Sequence, residues 1–249
     1  MNNIGFRDIT VDYAIRMCSG TYIKGDILLI DEMANLPLPK EPRRMQCLLV
    51  GMCLKGSARY FVDTVKHVVE PGDLIIINQG RVTHDCTMTP DCRGIGIIID
   101  YNFFKETIKS VHELSSLFLF ARNHPVFRLP EVRANFIRDT FFQMKDKISE
   151  PDNHFRRQMV QSLFLTMVYE MCNVIYTAQV KNDGCNSRSE EIFTKFLLLV
   201  EANFRTERRV GWYSEQLCIS PKYLSETIKM VSKRTPSEWI DSYVTMELR

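Results

Sequence analysis

Along this chain the spacing of apolar residues changes twice, and each regime predicts a different kind of element. Between Ile23 and about Ile99 they fall in short runs: Ile27–Ile30, Cys47–Leu54, Tyr60–Val69, Leu74–Ile77 and Gly94–Ile99. Turn-forming groups punctuate them, namely Gly51, Gly56, Pro71-Gly72-Asp73, Asn78-Gln79-Gly80 and Thr89-Pro90-Asp91. Short strands so spaced predict a β-sandwich or small barrel. Leu74–Ile77 follow the Pro71-Gly72 turn without a polar interruption, the pattern of a strand covered on both faces.

From Tyr101 to about Val180 the period lengthens to that of helices. Glu131–Ser149 sets Phe136, Ile137, Phe141, Met144 and Ile148 on one face. Glu150-Pro151-Asp152-Asn153 breaks the pattern. A second helix, from about His154 to Ala178, then carries a stripe of Val160, Leu163, Phe164, Met167, Val168, Met171 and Val174. The short connection predicts an antiparallel pair. Such a stripe is more often core than subunit interface, yet apolar residues this numerous leave area for a second copy of the chain. Lys181–Arg188 is polar, contains Gly184 and has no period, as expected of an interdomain linker.

Beyond it, local chemistry marks three helix starts. Ser187 and Glu190 have the spacing of a capping box, ahead of Ile192, Phe193, Phe196, Leu197 and Val200. Ser220-Pro221 places a hydroxyl before a proline at the first helical position, where the missing N–H costs nothing. Thr235-Pro236-Ser237-Glu238 combines both devices. A short helix ending near Leu217, a tight turn through Cys218-Ile219-Ser220 and a helix from Pro221 have helix-turn-helix geometry. Leu217 and Ile219 would pack on Leu224 and Ile228. The opposite face then stays free, with Lys222, Ser225, Glu226 and Lys229 on it, and Lys233 and Arg234 just beyond.

Composition narrows the class without announcing the partner. Hydrophobic residues make up 45% and charged residues 25% of 249 residues, which excludes a disordered or fibrous chain. Met1–Asp8 lacks the apolar core of a signal peptide. Met159–Ala178 is the nearest approach to a membrane span, and Gln161, Glu170 and Asn173 interrupt it. Eight cysteines are scattered with no C-x-x-C pair, so reduced thiols and a cytoplasmic setting are expected. From Arg188 onward ten Lys+Arg face nine Asp+Glu. A basic surplus is the usual electrostatic footprint of nucleic-acid binding, so this near-neutral balance argues against DNA. Any DNA reading rests on pattern instead.

That pattern is specific in wording. Val210-x-Trp-Tyr-Ser-Glu-Gln-Leu-x-Ile-Ser-Pro-Lys-Tyr-Leu-Ser-Glu226, then Thr235-Pro-Ser-Glu-Trp-Ile240, then Glu247-Leu-Arg249, resembles the first helix-turn-helix of AraC-type transcriptional regulators. The resemblance runs from about Glu190 to Arg249. It extends loosely to the front of the chain, where the Pro-Gly-Asp-Leu74 strand and Gln-Gly-Arg-Val-Thr-His84 resemble the cupin-like sensor domain of such regulators. The resemblance implies an α+β chain: a cupin-like barrel or sandwich over 1–130, a helical dimerisation hairpin over 131–180, a linker over 181–188, and an all-α helix-turn-helix subdomain over 189–249. It implies promoter DNA, the transcription machinery and a small effector as partners, a homodimer through the 131–180 helices, no membrane and no cofactor. The family's base-reading positions fall on Lys222, Ser225 and Glu226. Ser220, Lys229, Lys233 and Arg234 are placed for phosphate. Glu226 departs from the basic or amide residue often found at its position. The family carries two such units joined by a long helix, which Trp239, Ile240, Tyr243 and Val244 would line. The sequence ends within that helix, so a shortened chain that binds DNA weakly is expected.

The rival reading is a metal-dependent cupin enzyme with an appended helical module. Such a site needs three or four converging His or carboxylate ligands. The strand region offers His67 and His84, outside any H-x-H pair, while His112, His124 and His154 fall elsewhere. No Ser/His/Asp order, phosphate-cradling glycine loop or zinc spacing appears, so neither a metal site nor enzymatic activity is expected. Polar residues at strand ends, Arg59, Asn78, Arg81 and His84, are the candidates for lining an effector site.

Overall fold

The computed structural model describes residues 7–32, 41–108, 125–182, 188–232 and 234–247. They form an α+β chain of two compact units, one holding the described residues up to Val174 and the other those from Ile175 onward.

The first unit is built on two sheets. One has the order β1 (Arg7–Ile9), β4 (Arg43–Met45), β9 (Val82–Met88), β6 (Ala58–Val62), β7 (Val65–Val69). The other runs β11 (Val126–Arg128), β8 (Asp73–Ile77), β5 (Cys47–Lys55), β10 (Arg93–Asp100), β3 (Ile27–Ile30), β2 (Thr21–Ile23). Leu28, Ile30, Cys47, Cys53, Tyr60, Val62, Val69, Ile77 and Ile98 form one core, drawn from both sheets. Side chains alternate along a strand, so the intervening Ile27, Leu29, Leu48, Val50, Leu74, Ile76, Ile95, Ile97 and Ile99 face the other way, and they are buried too. The second sheet is therefore covered on both sides, as the unbroken run at Leu74–Ile77 predicts.

Its outer cover is helical. Helix α2 (Tyr101–Ile108) packs on β10 and β5, and α3 (Glu131–Ile148) on β2. Helix α4 (Arg156–Asn182) follows α3. Arg157, at its start, donates to Asp26 in the turn before β3 (Nε–Oδ2 2.6 Å) and to Glu106 on α2 (Nη2–Oε2 2.9 Å). Lys145 on α3 pairs with Asp31, and Arg133 with Glu170 across the hairpin.

Several expectations are corrected here. Gly51, expected in a turn, lies inside β5, opposite Gly96. The run Tyr60–Val69 is two strands, because Asp63 adopts φ 53° and turns the chain. Its carboxylate accepts from the Val82 amide at 3.0 Å, an interaction with a distant strand. Phe136, expected in the buried face of α3, is 38% exposed, whereas Ile137, Phe141, Met144 and Ile148 are buried. Helical backbone continues through Lys181 and Asn182, into the expected linker. Helix α1 (Val11–Met17) carried no readable period. Thr10 caps it, accepting from the Tyr13 amide at 3.1 Å.

The second unit contains α5 (Arg188–Asn203), α6 (Val210–Gln216), α7 (Pro221–Ser232) and α8 (Pro236–Glu247). Its core joins Phe193, Phe196, Leu197 and Val200 to Tyr213, Leu224, Ile228, Trp239, Ile240 and Tyr243. The capping box expected at Ser187 and Glu190 lies outside what the structure describes.

Candidate nucleic-acid interface

The helix-turn-helix is assembled from short-range bonds. The carbonyls of Tyr213, Ser214 and Glu215 accept from the amides of Leu217 (3.2 Å), Ile219 (3.0 Å) and Cys218 (3.0 Å), which closes α6. Cys218 makes the turn at φ 54°, left-handed backbone that a side chain strains. Ser220 Oγ then accepts from the Tyr223 amide at 3.2 Å, satisfying one of the first N–H groups of α7. Leu217 and Ile219 pack on the core containing Leu224 and Ile228, as their spacing predicts.

This packing settles which face of α7 is free. Leu224, Thr227 and Ile228 are buried; Lys222, Glu226 and Lys229 are exposed and Ser225 half-exposed. Positions 222, 225, 226 and 229 are neighbours on one helical face. Tyr223 and Met230, one helical repeat of seven apart, share the exposed surface at 40% and 58% exposure. The sequence reading missed both because it ranked polar groups only; the same helical periodicity shows them. Ser220 is exposed at the N-terminal end of α7. Lys233 lies outside the described residues. Arg234 is drawn into the unit's own packing: its guanidinium sits 4.7 Å from the Trp239 ring centroid and donates to the Glu238 carbonyl at 3.0 Å. Desolvation pulls its pKa below the usual arginine value. Polar atoms so placed offer donors and acceptors to base edges, chiefly along one side of a rod that fits a major groove.

Four side chains of the first unit were candidates for lining an effector site. A cavity of about 190 Å³ lies between its two sheets, with α1 at its edge. Arg59 lines it; Asn78, Arg81 and His84 do not. Arg81 pairs with Asp63 at 3.1 Å. His84 stacks on Phe61 (centroids 4.9 Å apart) and bonds the Asp63 carbonyl (3.1 Å) and Asp85 (3.0 Å). The backbone carbonyl of Asn78 accepts from the Arg81 amide. These groups hold the β6–β7 and β8–β9 turns together, a role that polarity at a strand end does not distinguish from ligand binding. Arg43, Tyr13 and Tyr60 line the cavity instead, and no local pattern flags them. Among the described residues no group of three or more His, Cys, Asp and Glu is placed to hold a metal ion. No described helix is long and apolar enough to cross a membrane.

No family model matches the chain, and no curated protein matches it significantly. Among solved structures, ToxT from Vibrio cholerae O395 is similar over 86% of this chain and 97% of its own, at 10% identity and a TM-score of 0.33. The AraC-like transcriptional activator CuxR is similar over 91% of this chain and 78% of its own, at 11% identity and a TM-score of 0.35. Oxalate decarboxylase from Bacillus subtilis is similar over 33% of this chain and 27% of its own, at 16% identity and a TM-score of 0.23.

Proposed function

We propose that this chain is a cytoplasmic, sequence-specific DNA-binding regulator of transcription, with no enzymatic role, whose α7 reads promoter DNA and whose first unit takes a small effector between its sheets. The observation that carries the reading is the helix-turn-helix: Leu224 and Ile228 anchor one side of α7, and Lys222, Ser225, Glu226 and Lys229 stand on the other. Lysine donates to guanine or phosphate, serine donates or accepts, and glutamate accepts from cytosine N4. Ser220 and Lys229 are the phosphate contacts of this reading. With Glu226 on the presented face and a near-neutral unit, attraction to arbitrary DNA is weak and base contacts carry a larger share of the affinity.

The same reading makes the protein a homodimer through α3 and α4. The stripe of α4 is core, since Val160, Phe164, Met167, Val168 and Met171 are buried. The exposed apolar groups include Val132, Phe136 and Phe142 on α3, Phe155 just before α4, and Met159, Tyr169 and Tyr176 on it. Sedimentation velocity of the Met159→Glu, Tyr169→Glu double variant should show monomer where the parent shows dimer; dimer in both removes this surface from the proposal.

Selection from a random DNA pool, followed by fluorescence anisotropy on the enriched sequence, tests the central claim. Enrichment of a defined site is expected. No sequence preference at moderate salt rejects it.

A further inference from the structure

The two borders of α7 differ in chemistry. A helix turns about 100° per residue. With Leu224, Thr227 and Ile228 buried, Lys222, Glu226 and Lys229 therefore run along the middle of the opposite surface. Half-exposed Ser225 stands on one border. Exposed Tyr223 and Met230 stand on the other. Glu226 lies three residues after Tyr223 and four before Met230, so its carboxylate is the polar neighbour of both.

The dimensions of a duplex make that border matter. The major groove is about 12 Å wide and a helix with its side chains about 10–12 Å across, so a seated helix brings both borders against the groove walls. A border that meets phosphate gains from lysine, arginine or a small hydroxyl. Tyr223 and Met230 instead offer an aromatic ring and a thioether. The apolar group that base edges display in the major groove is the C5-methyl of thymine. Glu226 adds a second requirement, because phosphates and carbonyl oxygens repel a carboxylate, whereas cytosine N4 donates to it. Adenine also has an amino group, but its N7 acceptor stands beside it and opposes a carboxylate. Side chains three residues apart on a helix have Cβ atoms about 5–6 Å apart. Stacked bases lie about 3.4 Å apart along a strand. Tyr223 and Glu226 therefore reach bases one or two steps apart.

We infer that α7 reads a thymine and a cytosine close together: the thymine methyl packs on the Tyr223 ring, and the cytosine amino group donates to Glu226. Met230 extends the apolar border along the helix. The inference rests on the proposal that α7 reads promoter DNA, and it narrows the sequences that the helix selects.

Fluorescence anisotropy of the full chain on the duplex enriched from the random pool tests it, with each thymine replaced in turn by deoxyuridine. Deoxyuridine keeps the base pair and removes only the methyl group. One replacement, within two steps of a cytosine, is expected to weaken binding about fourfold, the factor for burying one methyl group. Tyr223→Ala should bind the thymine and deoxyuridine duplexes equally. Tyr223→Phe should keep both the affinity and the difference, because the ring makes the contact. Tyr223 is exposed and outside the unit's core, so both variants are expected to fold, with unchanged melting temperatures as the check. An enriched site with no deoxyuridine-sensitive thymine overturns the inference, and so does a sensitivity that survives in Tyr223→Ala. A Tyr223→Phe protein that behaves like Tyr223→Ala also overturns it, since the hydroxyl would then be the contact. Those outcomes leave the regulator reading standing. A pool with no enriched sequence rejects that reading and this inference together.

Discussion

Trp239 on α8 donates its indole N–H to the hydroxyl of Ser232, the last residue of α7, at 2.9 Å in a fully buried setting. The same hydroxyl lies 2.7 Å from the Ile228 carbonyl, so one serine both serves the indole and closes the C-terminal turn of α7. Ser232→Ala removes this buried bond and should destabilise the second unit by about 1–3 kcal/mol. Both tryptophans of the sequence, Trp212 and Trp239, belong to this unit. Denaturant unfolding followed by tryptophan fluorescence should therefore show the loss directly, and an unchanged midpoint would contradict it.

Cys218 carries the left-handed turn of the helix-turn-helix with a side chain that this backbone disfavours. Cys218→Gly should stabilise the second unit by about 1 kcal/mol, less whatever glycine adds to the freedom of the unfolded chain. A rise in the fluorescence-detected melting temperature is expected. A fall would mean the thiol contributes packing that its exposure does not suggest.

Glu207 closes the loop before α6 by accepting from the amides of Arg208 and Arg209, both at 2.9 Å, and from the Arg209 guanidinium at 2.6 Å. The Arg209 side chain, then these backbone bonds, lower its pKa from an ordinary 4.5 to about 2. A carboxyl with a depressed folded-state pKa stabilises above its unfolded pKa and loses that contribution as pH falls toward the folded value. The stability gap between the parent and Glu207→Gln should thus be full at pH 6, shrink below about pH 4.5 and close near pH 2. Denaturant unfolding at several pH values reads it, and a gap that persists at pH 2 would refute the assignment.

Lys222 and Glu226 lie on the free face of α7 and Lys229 one turn further. Replacing Lys222 and Glu226 together by alanine should change which DNA sequence is enriched while the melting temperature stays put. Lys229→Ala should weaken binding evenly across sequences and lower the salt slope by about 1, as loss of one phosphate contact does. A variant that loses folding and binding together would place these residues in the scaffold instead.

What the sequence determined by itself is the part whose partners lie within a turn of helix or a single strand. Ser220 reaches the Tyr223 amide, Thr235 and Glu238 cap each other, and Leu224 and Ile228 share a face, all at separations of three or four residues. A linear pattern records such relations, so the helix-turn-helix and its free face could be read before any coordinates. The doubly covered strand at Leu74–Ile77 was legible for the same reason. Only the tertiary structure decided the cavity and the surfaces around it. Gly51 looks like a turn until Gly96 is set opposite it in register, Arg43 stands in a stretch without period, and Arg81 and His84 resemble ligand contacts until Asp63 and Phe61 are seen to hold them. Each of these facts depends on which distant strand a residue faces, and strand register is set by the packing of the whole unit.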